Sequence, residues 1–306
     1  PYSINHWNSL GKCYLSTNDY EEAHEAIDFA LAIDDSNAEA LTLKAFCYQQ
    51  SGELQKSCDY YLRLAEQQEN KTRAYLALAK TYFEMQDYTS SIYYIEALLD
   101  NKDALSKYEL SELYGDIALC HAALKHIGVG QASIRRSLEL NENDPDTLIV
   151  AGRFFLMEAK ACNDETAKAE NQAKGELYFR QALNLIMEDE RLDYLFTISA
   201  ACFDTQNFKL AAQYYEQINR EFPDNAPATY FFLAYCYFYL EEAISCMHYI
   251  AKMKHELPDA YSNLGTSDSI LSDTRFNELM RNLKDSVNTV YYTHLRAHET
   301  LSDLVC

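Results

Sequence analysis

The sequence predicts an all-α protein made of about seven helix pairs stacked side by side. The first observation is internal repetition, because the pattern of Trp7, Leu10, Gly11 and Tyr14 returns along the chain with a period of about 34 residues. The second is composition, since only 8 glycines and 5 prolines in 306 residues favour long helices with short connections. The third is the abundance of tyrosine, 25 residues, because large amphipathic rings suit the seams between helices.

The first repeat, residues 4–37, shows why this pattern gives two helices. Trp7, Leu10 and Tyr14 fall on one face of a first helix. A second series falls on one face of a second helix, and Asn18 lies in the turn between them. Because such a pair buries too little apolar surface to be stable alone, it needs a neighbouring pair.

The same register predicts six further repeats. The second repeat departs from it at Lys44, where the pattern has a large apolar residue. In the fifth repeat, residues 157–174 are rich in Ala, Lys, Glu and Asn, which favours extension of both helices into a longer hairpin. The repeats lie near residues 4–37, 38–71, 72–105, 111–144, 145–190 (with the insertion), 192–225 and 226–258.

The seventh repeat is predicted to be distorted. Its first helix is clear, but Ala243 and Met247 arrive about three residues earlier than the second helix requires. We therefore expect either a very short turn at Leu240 or a fusion of the two helices. The periodicity of residues 259–290 then predicts a terminal helical cap with polar faces.

Both ends of the chain carry signs of a fragment. The chain begins at Pro1, without an initiator methionine, inside a predicted helix. Residues 292–300 resemble the conceptual translation of a sequencing-library adapter, so segment 291–306 is predicted to be a non-native tail. Such a tail indicates a gene read from fragmentary environmental DNA, of bacterial type, and we expect both native termini to be missing.

Charge and cysteine content exclude several classes of function. The net charge of −21 would repel nucleic acid and anionic membranes. The sequence contains no run of 18 apolar residues, so no membrane span is predicted. The nine cysteines are odd in number and form no C-x-x-C, so they are interpreted as small buried side chains in a reducing, cytoplasmic compartment.

Taken together, the repeated positions resemble the tetratricopeptide repeat (TPR) family over residues 4–258. The resemblance implies a right-handed α-α superhelix whose first helices line a concave wall. In the family, peptide contacts come from four positions of each first helix. Carried over to this sequence, the contacts on which the prediction depends are Asn8, Lys12, Arg73, Leu76, Lys80, Phe83 and Arg153.

The chemistry of these positions predicts the kind of partner. Lys12, Arg73, Lys80 and Arg153 could form a basic line in an acidic molecule, which favours an extended protein segment with acidic and apolar residues. Alternatively, they are ordinary solvated helix charges. The family's clamp for a C-terminal carboxylate retains only Arg73 here, so that subclass is not expected.

No catalytic or metal-binding constellation is found in the sequence. Cys246, His248 and His255 offer three candidate ligands where four at helix-compatible spacing are wanted, so no metal or other cofactor is predicted. Cys120 and His121 are adjacent on a helix and point about 100° apart, which argues against a nucleophile with its base.

The sequence therefore predicts a non-catalytic protein- or peptide-binding scaffold. One alternative is that the array is the sensor or docking part of a larger enzyme or regulator whose effector domain lies beyond the fragment. Another is a metal- or redox-responsive module that uses the cysteines.

Overall fold

A computed structural model describes residues 3–100 and 105–258. These residues form fourteen α-helices, two short 3-10 helices and no strand. Their contacts define two compact units that divide between residues 142 and 143, and each unit is described by itself. The predicted cap, 259–290, and the predicted tail, 291–306, lie outside the described residues. No helix of the described part is long and apolar enough to cross a membrane.

Unit 1 contains four consecutive helix pairs. Each helix packs antiparallel against its partner, and each pair contacts the next pair of the unit. The helices are α1 (Ile4–Ser16), α2 (Tyr20–Ile33), α3 (Ala38–Gln50), α4 (Leu54–Ala65), α5 (Lys71–Glu84), α6 (Tyr88–Leu99), α7 (Lys107–Ala123) and α8 (Ile127–Leu140), with a 3-10 turn at Gln68–Asn70.

Unit 2 contains three further pairs. Here too the helices of each pair pack against each other, and a 3-10 helix, Pro223–Thr229, precedes the last pair. The helices are α9 (Pro145–Ala161), α10 (Glu165–Leu185), α11 (Arg191–Asp204), α12 (Phe208–Glu221), α13 (Tyr230–Tyr239) and α14 (Ala243–Glu256). The all-α repeat architecture predicted from the sequence is thereby confirmed.

Six of the seven described pairs share one backbone turn. In each, a single residue of the turn has a φ between 60° and 78°. The next amide donates a hydrogen bond to the carbonyl five residues earlier, at 2.8–2.9 Å, which closes the end of the first helix as a Schellman motif. The positive-φ residues are Asn18, Gly52, Gln86, Lys125, Gln206 and Glu241.

The seventh pair has this ordinary turn, so the prediction that its second helix arrives early is wrong. α13 ends at Tyr239 and α14 begins at Ala243, with Glu241 as the positive-φ residue between them. The fully buried small side chain of α14 is Cys246, and Ile250 follows it in the core. The sequence interpretation assigned the small position to an alanine, whereas a buried cysteine fills the same kind of space.

The fifth pair is the long hairpin that the composition predicts. α9 has 17 residues and α10 has 21. The two helices approach closely at two glycines, because a Cβ atom on Gly152 would lie 2.4 Å from the Phe179 ring and one on Gly175 would lie 2.9 Å from the Gly152 carbonyl oxygen. Only hydrogen atoms fit at these places.

Lys44, the departure noted in the second repeat, is buried. Its side chain is only 3% exposed, and its ammonium group lies 2.6 Å from the Asp28 carboxylate. The same group donates a hydrogen bond to the backbone carbonyl of His24 at 3.2 Å. A lysine therefore occupies an apolar position because α2 supplies both an ion pair and a carbonyl acceptor for its amine.

Six of the eight described cysteines are buried, as the sequence interpretation has it, and all eight are free thiols. Cys13 is exposed and Cys162 is partly exposed, so the interpretation is wrong for these two. Both lie near the C-terminal ends of first helices, where fewer neighbouring side chains cover the helix. The buried six are Cys47, Cys58, Cys120, Cys202, Cys236 and Cys246.

Candidate peptide-binding surface

The predicted contact residues all lie on first helices of the pairs. Asn8 and Lys12 belong to α1, and Arg153 belongs to α9 of unit 2. The other four, Arg73, Leu76, Lys80 and Phe83, belong to α5. Unit 1 therefore carries six of the seven positions, on two helices.

On α1, the predicted contact residues bind to other residues of the protein itself. Asn8 is only 1% exposed, and its side-chain amide donates hydrogen bonds to the Glu39 carboxylate at 2.8 Å and to Asn37 at 3.1 Å. Lys12 forms an ion pair with the same Glu39 carboxylate at 2.5 Å. The hydrogen bonds from Lys12 and from Asn8 hold the pKa of Glu39 below its usual value. Asn8 thus links α1 to the start of α3 and offers a partner little surface.

On α5, the predicted contacts form an accessible stripe. Arg73 and Lys80 are exposed, and Leu76 and Phe83 between and beyond them are half-buried. The spacing of three, four and three residues places all four on one face of the helix. Neither cation forms an ion pair with another described residue. We call these four residues the α5 stripe.

The end of α3 lies beside the α5 stripe. The side-chain amide of Gln49 donates a hydrogen bond to Glu84, the last residue of α5, at 2.7 Å. Phe46, one turn earlier on α3, is 42% exposed. An exposed apolar ring is therefore available on the helix that is hydrogen-bonded to the end of α5.

Arg153 differs from the α5 cations because it has an internal partner. Its guanidinium lies 3.7 Å from the carboxylate of Asp204, the last residue of α11, and its side chain is one-third exposed. The ion pair joins two consecutive first helices of unit 2. Arg153 therefore contributes to packing within its own unit and is a poorer candidate for partner binding than Arg73 or Lys80.

An aromatic surface in unit 2 was not predicted from the sequence. Phe231, Tyr235 and Tyr239 recur every fourth residue along α13, and Phe231 and Tyr239 are each 37% exposed. The Tyr239 ring stacks on Phe208 at 4.7 Å, and the Tyr235 ring lies 5.2 Å from that of Phe203. The sequence signal that could have revealed this surface is the four-residue spacing of the rings in a helix rich in aromatic residues. In the sequence analysis, such rings were assigned to the seams between helices.

The thiols and imidazoles have environments that suit packing. Burial raises the pKa of Cys58 and of Cys120 to about 11, and that of Cys246 to about 12, so these thiols stay protonated at neutral pH. Burial also lowers the pKa of His121 and His248, which keeps their imidazoles neutral. Within residues 3–100 and 105–258, no three His, Cys, Asp or Glu side chains converge as metal ligands.

Comparison with known proteins gives one family and a set of solved structures. Residues 6–37 and 72–103 match the family model described as tetratricopeptide repeat. A tetratricopeptide repeat protein from Parabacteroides merdae is 15% identical with a TM-score of 0.56, over 91% of this chain and 97% of that one. PilW, a widely conserved type IV pilus biogenesis factor, is 17% identical with a TM-score of 0.50, over 72% and 94%. No curated protein matches the chain.

Proposed function

We propose that this chain, a tetratricopeptide repeat protein, is a non-catalytic scaffold that binds an extended segment of another protein along the α5 stripe. The observation that supports this proposal is the pair of exposed cations, Arg73 and Lys80, on a helix that also offers half-buried apolar side chains. On α1, by contrast, Asn8 and Lys12 are already bonded to Glu39. The partner site is therefore centred on the third helix pair.

The charges define the partner. The chain has 47 acidic and 26 basic residues, so two cations on one helix face that form no ion pair with a described residue are a local exception to an acidic surface. Arg73 and Lys80 are seven residues apart, which is about 10 Å along a helix axis. An extended segment advances about 3.3 Å per residue, so two acidic side chains about three residues apart would reach both cations.

The apolar side chains define what lies between those charges. Leu76 and Phe83 are half-buried and face the same side as the cations, and Phe46 stands exposed on the neighbouring helix. An aliphatic or aromatic residue of the partner would cover them and exclude water from the flanking ion pairs. Charged hydrogen bonds are stronger in such a partly dry setting than on an open surface.

The test begins with selection of 12-residue peptides from a random display library on the full chain. We expect the selected sequences to contain two acidic residues about three apart with an apolar residue near them. Affinity of the best peptide is then measured for the double variant Arg73→Glu/Lys80→Glu, which should bind at least about tenfold more weakly because two attractions become repulsions.

The matched control is Arg135→Glu/Arg136→Glu on α8, which changes the net charge by the same amount at two exposed arginines outside the stripe. It should bind the peptide within about twofold of the wild type, apart from the general charge effect on association rate. Equal weakening in both double variants, or selected peptides without acidic residues, would refute the α5 stripe as the binding site.

A further inference from the structure

Unit 2 contains a pocket that is separate from the predicted peptide contacts. It lies between the second helices α10 and α12, beside the start of α11, and has a volume of about 480 Å³. Three arginines line it: Arg180 from α10, Arg191 from α11 and Arg220 from α12. Such a concentration of guanidinium groups is unexpected in a chain with a net charge of −21.

The side chain of Arg191 is held in position by hydrogen bonds within unit 2. Its Nε donates to the Glu221 carboxylate at 2.7 Å, and its Nη1 donates to the Leu183 carbonyl at 3.4 Å. The side-chain amide of Gln217 donates to the other oxygen of Glu221 at 2.8 Å. These bonds leave the Nη2 group of Arg191 available as a preorganised donor.

The other two arginines are at the rim. Arg180 pairs with Glu176 one turn earlier on α10, at 3.0 Å, and its side chain is 64% exposed. Arg220 is exposed and forms no ion pair with a described residue. The pKa of Glu221 is lowered mainly by the hydrogen bond from Arg191, and the charge of Arg220 adds to this shift. The three arginines that line the pocket thus have two carboxylates as ion-pair partners, Glu176 and Glu221.

The floor of the pocket is apolar. Leu183, Leu210 and Tyr214 line it and are each less than a tenth exposed. Asn184 and Gln213 add side-chain amides that can donate hydrogen bonds. The volume lies within the range typical of small-molecule sites, and the lining combines these apolar side chains with several polar groups.

We propose that this pocket binds a small organic anion, in which a phosphate or carboxylate group is carried on an apolar stem. The oxyanion contacts the Nη2 group of Arg191 and the guanidinium groups of Arg180 and Arg220, since the forked guanidinium suits both phosphate and carboxylate. The stem lies on Leu210 and Tyr214. This site is independent of the α5 stripe, which belongs to the other unit.

The experiment is calorimetric titration of the full chain with phenyl phosphate and, separately, with phenylacetate at low ionic strength. We expect at least one of them to bind with a dissociation constant of about 1 mM or less, and the two titrations distinguish phosphate from carboxylate. Raising the salt concentration should weaken the binding, because the pocket is open to solvent. Benzyl alcohol, which has the stem without the charge, should bind at least about tenfold more weakly.

The variants Arg180→Gln and Arg220→Gln should each weaken binding of the better anion by about tenfold, as expected for loss of one charged hydrogen bond. Arg136→Gln on α8 is the matched control, because Arg136 also pairs with a glutamate of its own helix, Glu139, and is distant from the pocket in sequence. It should bind as the wild type does.

Three results would overturn the proposal: no heat of binding with either anion at about 10 mM, the same affinity in both pocket variants and the control, or equal binding of benzyl alcohol. The double variant Arg73→Glu/Lys80→Glu should retain anion binding. The two proposed sites can thus fail separately.

Discussion

The two units use equivalent places in the helix pair for different contacts. In unit 1, α1 and α3 are joined by Asn8 and Lys12, which are both hydrogen-bonded to Glu39. In unit 2, α11 and α13 are joined by aromatic rings, with Phe203 5.3 Å from Phe232 and 5.2 Å from Tyr235. The same backbone turn nevertheless occurs in both units, in all four pairs of unit 1 and in two of the three pairs of unit 2. Local turn chemistry therefore defines the pair, whereas the seam between first helices can be polar or aromatic.

The units also differ where the two helices of a pair approach most closely. In the first pair, a Cβ atom on Gly11 would lie 2.8 Å from one methylene carbon of Ile27. At the equivalent place of the fifth pair, a Cβ on Gly152 would lie 2.4–2.9 Å from three atoms of the rigid Phe179 ring. The contact of Gly152 with an aromatic ring thus leaves less room for change than the contact of Gly11 with an aliphatic side chain.

The largest effect is expected from a comparison of these two glycines. Gly152→Ala should lower the free energy of unfolding by about 3 kcal/mol, since neither the ring nor the helix backbone can move away cheaply. Gly11→Ala should cost about 1 kcal/mol or less, because the Ile27 side chain can change conformation and alanine favours the helix. Urea denaturation followed by circular dichroism measures both. Equal losses of stability would show that the close contact at Gly152 is no less tolerant of an added methyl group than the one at Gly11.

A smaller effect is expected at the buried polar contact of unit 1. Replacing Lys44 by leucine should stabilise the protein by about 1 kcal/mol, because an ion pair with one buried partner is exchanged for apolar packing. Asp28→Asn should destabilise it by about 1 to 2 kcal/mol, because the buried ammonium loses its counter-charge. The same denaturation experiment applies to both variants.

Lys56→Leu is the control for the previous variants, since its ion pair with Glu53 is exposed and should contribute little. Marked destabilisation by Lys44→Leu would mean that the polar contact of unit 1 stabilises the fold, contrary to our expectation.

The smallest effects are expected at the shared turn, and they should be alike in the two units. Gly52 has a φ of 78° and open space around its Cα, so Gly52→Ala should cost about 1 kcal/mol through the backbone alone. Gln206 in unit 2 has a φ of 61°, so Gln206→Gly should stabilise the protein by about 0.5 kcal/mol. Thermal unfolding of the two variants measures both changes. Stabilisation by Gly52→Ala, or destabilisation by Gln206→Gly, would show that the turn is not equivalent in the two units.

Most of the fold could be predicted from the sequence because the repeat pattern is local. The spacing of Trp7, Leu10 and Tyr14 and its recurrence give both the helix type and the pairing of neighbours. The long hairpin of the fifth pair followed from composition. The error in the seventh pair arose because Cys246, a small buried residue, was not considered at the position where other repeats have alanine or glycine.

The candidate site was less predictable, because motif positions do not reveal what each side chain contacts. Asn8 and Arg73 were equal candidates in the sequence, yet Asn8 is 1% exposed and bonded to Glu39 while Arg73 is exposed. Whether a motif position is buried or accessible depends on the side chain that the next helix pair places beside it, such as Glu39 beside Asn8. The pocket around Arg191 was missed for the same reason, since its three arginines come from three helices.

The hydrogen bond that closes each shared turn, such as that from the Asp19 amide to the Tyr14 carbonyl, joins residues only five apart. Together with packing between the helices of one pair, it gives the protein many contacts at short sequence separation. Chains of such low contact order fold rapidly. We therefore expect each pair to acquire its structure once a neighbouring pair has also left the ribosome and can pack against it, without waiting for the rest of the chain.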